Sequence, residues 1–244
     1  MSQPDDIQVL WCDPALLVIN KHAGLRTLPD GYNPTLPHVK RLLEQEFGRL
    51  WIVHRLDRET SGVLLLARTA EAHRSLNTQF EQHLVSKIYH ALVIGNPDWQ
   101  EKTISLPLRP NGDRHHRTVI DLDQGKPAVT RLKVMERFDH YCLIEAIPET
   151  GRTHQIRTHL SSLGLYIAGD KLYGARKNDF YTDVGLLLQR DLALDEKSIG
   201  GIGLHAFSLE INHPTHGERL KFEAAYPEAL AYILEQLREL GKQK

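Results

Sequence analysis

Cysteine is scarce in this chain: two of 244 residues, Cys12 and Cys142. Two thiols make neither a disulfide framework nor a four-cysteine zinc site, and they suit a reducing compartment. No apolar run is long enough to span a bilayer, and the first six residues are polar and acidic, so no secretory signal is expected there. A cytoplasmic location follows as the expectation. An excess of one charge is missing too. Lys+Arg number 30 and Asp+Glu 31, a net charge of -1. That argues against a diffuse coat on nucleic acid but leaves room for a local basic face. Internal repeats and low-complexity stretches are absent. The glycines of 200–203 lack the Gly-Lys-Ser/Thr ending of a phosphate loop. His154 and His159 stand five apart with no Glu between them, unlike the i, i+4 pair of a zinc helix, so no metal is expected. What remains is an ordinary globular composition, 41% hydrophobic and 25% charged, in a chain long enough for one large domain or two small ones.

The most informative stretch is 51–67. Residues 51–53 read as a short strand. Gly62 to Ala67 is a continuous apolar run of strand length, expected to be buried on both faces. Between them lies a polar knot: His54, Arg55, Asp57, Arg58, Thr60, Ser61. Loops held between rigid strands are where reacting groups are usually placed. A surface turn in which Asp57 pairs with Arg55 or Arg58 is the plainer alternative.

On either side, the pattern predicts a mainly antiparallel α+β chain. Strands are expected at 7–11 and 15–20. A helix is expected around Leu36, Val39, Leu43 and Phe47, stopping at Gly48. Thr69 should cap a second helix running to about Leu84, with Leu76, Phe80 and Leu84 as its buried stripe and Gln79 on its solvated face. Residues 86–95 form a strand by alternation and β-branching. The loop 109–117 holds Arg109, Arg114, His115, His116 and Arg117, either a solvated basic loop or an arm for phosphates. A second knot, 150–160, should start a helix near Thr153 that stops at Gly164. The segment 176–203 reads as a variable excursion. Leu230, Ile233, Leu234 and Leu237 mark a C-terminal helix.

Three segments carry a family resemblance. His54-Arg55-Leu56-Asp57-Arg58-Glu59-Thr60-Ser61-Gly62 resembles the signature of the RluA-type pseudouridine synthases. Lys87-Ile88-Tyr89-His90-Ala91-Leu92-Val93 is similar to that family's second motif, and Gly151-Arg152-Thr153-His154-Gln155-Ile156-Arg157 to its third. The likeness runs from about Ile7 to Tyr226, with His22 and Thr158 as mild departures. It implies one α+β catalytic domain over 1–244 (core about 7–240), with a long, mainly antiparallel mixed sheet bent around a central cleft and flanked by helices. The extra N-terminal S4-type domain of many members is not expected.

The resemblance also implies roles. Asp57 would be the nucleophile that isomerises uridine to pseudouridine in a structured RNA, ribosomal or transfer. Arg157 would pair with Asp57 and keep it ionised. Tyr89 would lie against the flipped base, although a strand tyrosine is more often a packing residue. Arg55 would fill the gap left by the extruded nucleotide. His54, Arg152 and His154 would contact substrate, and Leu204 would line the base pocket or simply join the core. No cofactor is needed, because nothing is oxidised and nothing is transferred in. A monomer without an obligate protein partner is expected, and no membrane. Two other readings of the same residues exist. One is a nucleoside or glycoside hydrolase, which needs a second carboxylate across the scissile bond. The other is an RNA-binding module without activity.

Overall fold

The computed structural model describes residues 7–31, 33–174 and 201–242. The excursion at 176–200 therefore lies outside the described residues. The chain forms two compact units, Met1–Lys87 with His205–Tyr226, and Ile88–Leu204 with Pro227–Lys244. Both are α+β with mainly antiparallel pairing. Among the described residues no helix is long and apolar enough to cross a membrane.

The first unit opens with β1 (Gln8–Cys12), β2 (Leu16–Lys21), β3 (Trp51–Ile52) and β4 (Ser61–Ala67). Every residue of β4 is buried, as its uninterrupted apolar run requires. β2 covers one edge of β4 antiparallel, from Leu16↔Ala67 to Lys21↔Gly62. The other edge is shared. β3 pairs antiparallel at Ala67 and Leu66, and a later strand, β12 (Leu204–Asn212), pairs parallel at Ser61 and Gly62. β13 (Arg219–Glu223) extends β12 as a hairpin. Helix α1 (Val39–Phe47) starts where the imidazole of His38 accepts from the Arg41 amide, a cap not foreseen from sequence. Helix α2 (Ala70–Glu81) is capped by Thr69 as expected but ends earlier, leaving Leu84 exposed beyond it. Gln79 is buried rather than solvated. Its amide donates to the Asn212 carbonyl at 2.8 Å and accepts from the Asn212 amide at 2.9 Å, which completes a main-chain pair that β12 leaves open.

In the second unit, β5 (Ser86–Ile94) pairs antiparallel with β10 (Tyr141–Pro148), β10 with β9 (Val129–Arg137), and β9 with β6 (Glu101–Ser105). A short β11 (Tyr166–Ile167) takes the far edge of β5. Alternation along β9 buries Thr130, Leu132 and Val134. Leu132 and Val134 join Ile156 and Leu160 of α3 (Gln155–Ser162), together with Ala91, Ile144 and Leu204. The two-residue strands β7 (Leu108–Arg109) and β8 (Val119–Ile120) frame the basic loop. Helix α4 (Glu228–Lys242) buries the foreseen stripe of Leu230, Ile233, Leu234 and Leu237. It is tied to β9 by Arg238 and Glu136 at 2.8 Å.

Candidate active site

Residues 53–60 connect β3 to β4 and carry Asp57. The loop is pinned immediately before and after that residue. Leu56 is 4% exposed and anchors it apolarly. Both main-chain groups of Leu56 are satisfied by one hydroxyl: Thr27 Oγ1 donates to the Leu56 carbonyl at 3.0 Å and accepts from its amide at 3.3 Å. The carbonyl of Arg58 accepts from the Gly24 amide at 2.7 Å. The carbonyl of Asp57 accepts from the Thr60 amide at 3.2 Å, which closes the turn. Asp57 itself is half-buried, while Arg55 and Arg58 are exposed.

Beneath the loop lies a residue whose chemistry the sequence did not advertise. Lys21 is fully buried, and its ammonium donates to the carbonyls of Leu25 (2.9 Å), His22 (3.0 Å) and Arg58 (3.3 Å). Burial pushes it down to about 8, against the opposing pull of the Glu59 and Asp57 carboxylates. The attraction is mutual, so Asp57 has a cation of its own unit behind it. The available signal was position alone: Lys21 closes an apolar strand on a register that faces the core.

His54 faces inward. Its Nε2 accepts from the Leu65 amide at 3.0 Å, which places the proton on Nδ1, and the ring stacks on Phe80 at 5.1 Å. Burial, helped by the Lys87 ammonium, holds it down at about 3. A neutral imidazole committed to a main-chain amide has no charge to offer a phosphate; it welds the loop's entry to β4. The buried His159 and His205 are depressed in the same direction, again by burial first. In each case the unfolded chain binds the proton more readily than the folded one. Stability is therefore complete above about pH 6.5, the ordinary imidazole value, and falls as pH drops toward the folded values. Each such imidazole adds a slope of up to about 1.4 kcal/mol per pH unit. Denaturant titrations from pH 7 to 5 should show this loss before most carboxylates titrate, and His54→Gln should flatten it. A pH-independent midpoint over that range would contradict the assignment.

The second unit gathers the remaining residues. Arg157 forms a bidentate pair with Asp170, Nε to Oδ2 at 2.7 Å and Nη2 to Oδ1 at 2.9 Å, with side-chain exposures of 3% and 1%. Asp170 Oδ1 also accepts from the amides of Leu172 and Tyr173. The guanidinium lies 5.0 Å from the centre of the Tyr173 ring. The Tyr173 hydroxyl meets His154 Nδ1 at 2.9 Å and accepts from the Thr118 amide at 2.8 Å. His154 is left-handed (φ 52°), so α3 begins at Gln155, two residues past Thr153. The Gln155 side chain accepts from the Arg152 amide at 3.0 Å and so caps the helix from within. Arg152 donates to the Pro127 carbonyl at 3.0 Å. Tyr89 is partly buried and packs on the same core cluster as Leu204. Thus His54, Arg55 and Asp57 share one loop of the first unit, and His154 and Arg157 converge on Tyr173 in the second. The pairing of Arg157 with Asp170 was not foreseen, although residues 168–174 extend the resemblance.

In the basic loop, Arg109 pairs with Asp121 at 2.5 Å and Arg117 with Asp113 at 2.7 Å. Main-chain and side-chain donation from Arg117 hold Asp113 down at about 2. Arg114, His115 and His116 are left exposed. Among the described residues no group of three or more His, Cys, Asp or Glu side chains is placed to hold a metal ion.

Residues 15–162 match the family model described as RNA pseudouridylate synthase. The chain is 35% identical to the ribosomal large subunit pseudouridine synthase D of Pseudomonas aeruginosa, over 98% of this chain and 74% of that protein. It is 39% identical to the ribosomal large subunit pseudouridine synthase C of Haemophilus influenzae, over 95% and 69%. Among solved structures, human RNA pseudouridylate synthase domain containing 4 superposes with a TM-score of 0.73 at 26% identity, over 95% of this chain and 93% of that one. The loop that presents Asp57, the matched motifs and this coverage lead to one conclusion: the chain belongs to the RNA pseudouridylate synthase family, isomerases that convert uridine in RNA to pseudouridine.

Proposed function

We propose that this chain modifies uridine in large-subunit ribosomal RNA, with Asp57 as the nucleophile and both units serving one catalytic domain. The observation that carries the site is the Asp57 loop itself, pinned at Leu56, Asp57 and Arg58 above a buried ammonium. The target is supported by relatives at 35% and 39% identity that are named for the large ribosomal subunit. The setting would be the cytoplasm.

The reaction breaks the C1′–N1 bond of uridine and forms a C1′–C5 bond. The hydrogen on C5 leaves as a proton, and N1 gains one. Electrons and atoms balance within the nucleotide, so neither oxidant nor group donor is called for. A carboxylate at Asp57 can attack C1′ or C6, or remove the 2′ proton. Held from both sides, it approaches along one direction, and such orientation is a source of rate. Tyr89 offers a ring to stack on the detached uracil and a phenol to hydrogen-bond it. Arg157 is the residue that the motif match puts forward as the supporting cation. Arg55, exposed beside Asp57, is suited to fill the gap in the stack. Unstacking costs a few kcal/mol, as an order of magnitude, and phosphate contacts from exposed cations such as Arg114 offset it.

Sequencing of chemically marked pseudouridine in RNA from cells with and without the protein tests this. One or a few positions in large-subunit ribosomal RNA should lose their mark. Loss confined to transfer RNA would overturn the target. Release of free uracil by the purified protein would favour the hydrolase reading, which the loop's other acid, Glu59, does little to support.

A further inference from the structure

At the exit of the Asp57 loop stands a buried pair that the isomerisation has not yet used. Ser61 Oγ lies 2.8 Å from His205 Nδ1, and His205 Nε2 lies 3.0 Å from the Ala224 carbonyl. Ser61 is 2% exposed and His205 0%. The carbonyl can only accept, so Nε2 carries the imidazole proton and Nδ1 is the acceptor. The Ser61 hydroxyl must therefore donate to it. The Tyr226 ring closes edge-on over the imidazole at 5.3 Å. No reactant reaches the hydroxyl, so this serine–histidine pair is no nucleophile–base couple.

Its location gives it another task. Ser61 and His205 are register partners in the parallel β4–β12 pairing, which consists of Ser61↔His205 and Gly62↔Ala206 alone. Two parallel pairs are a weak ladder. The approach is close: Gly62 has φ 112°, and a Cβ there would sit 2.2 Å from the Ala206 carbonyl oxygen. On the opposite edge of β4, Gly62 is the register partner of Lys21, which holds Arg58. The intervening Thr60 adds no side-chain tether, since its buried Oγ1 has no hydrogen-bond partner. Beyond the main-chain pairings of Ser61 and Gly62, the exit of the loop is held by the Thr60 amide and the Ser61 side chain.

We propose that Ser61 and His205 are positioning residues for Asp57: the Ser61–His205–Ala224 chain clamps the end of its loop onto β12 and so sets the direction of the carboxylate. This rests on the reading of Asp57 as the reacting group. Displacement of a reacting group by an ångström costs up to about 100-fold in rate. Ser61→Ala should lower kcat on transcribed large-subunit ribosomal RNA by 10- to 100-fold, with KM within threefold and the fraction folded unchanged. His205→Asn keeps an acceptor where Nδ1 stands, so it should retain at least a third of wild-type kcat. Adding Ser61→Ala to His205→Leu should cost nothing beyond the larger single loss, because one clamp is already open.

A Ser61→Ala protein with wild-type kcat overturns the proposal. So does a loss that tracks only the unfolded fraction, or one that appears in KM alone. The two readings separate cleanly. If Asp57→Asn is inactive while Ser61→Ala is fully active, the clamp fails and the nucleophile stands. If Asp57→Asn turns over normally, both fail.

Discussion

Asp57→Asn is expected to abolish pseudouridine formation, by more than 100-fold, while leaving the fold and RNA affinity nearly unchanged. Asparagine is isosteric. The carbonyl that closes the turn with Thr60 belongs to the main chain and survives, as do the Leu56–Thr27 and Arg58–Lys21 tethers. Only the negative charge and the nucleophilic oxygen are removed. RNA binding draws on phosphate contacts, to which an acid contributes nothing favourable. One side effect follows: the carboxylate helps to hold the Lys21 ammonium charged, so that ammonium should titrate lower still in the variant. The measurements are single-turnover product yield, RNA affinity and the unfolding midpoint. Turnover within tenfold of wild type would remove Asp57 from the nucleophile's role, and a collapsed fold would make it a structural acid instead.

Arg157→Ala should produce the largest loss of stability. It strands Asp170, whose carboxylate is 1% exposed and takes two bonds from this guanidinium. Removing one partner of a buried ion pair costs about 3–5 kcal/mol. For a chain of this size that corresponds to a midpoint lowered by roughly 10 °C. Contact with the Tyr173 ring is lost as well, and through it the link from His154 to the Thr118 amide is loosened. Arg157→Lys retains charge but not the two parallel bonds, so it should fall between. Arg157→Ala combined with Asp170→Asn should recover part of the loss, since the stranded charge is gone. An Arg157→Ala protein within 1 kcal/mol of wild type and fully active would refute both the structural pair and the supporting role.

Much of this was legible in one dimension because periodicity reports which face is apolar. Six apolar or small residues in a row, Gly62 to Ala67, made β4 a strand covered on both sides. Thr69 announced its helix by the chemistry of capping, and the Leu230-Ile233-Leu234-Leu237 stripe announced α4. The reacting candidate was legible for a different reason. The segment around Asp57 matches a motif, and motifs survive in sequence because their residues are neighbours in the chain. Polar residues inside the fold were not legible. Gln79 has the character of a solvated residue until the open main-chain pair at Asn212 stands beside it. Lys21 reads as the polite end of a strand until three carbonyls converge on it. Leu84 reads as core until the helix ends three residues early.

By itself, the sequence determined the family, the α+β character and the loop that bears Asp57. The tertiary structure alone decided what holds that loop: a lysine thirty-six positions upstream, and a histidine 144 positions away that bonds Ser61. The physical reason is that burying a polar group costs free energy unless a partner meets it. Whether a partner does so is a property of the folded chain, which no local pattern of residues records.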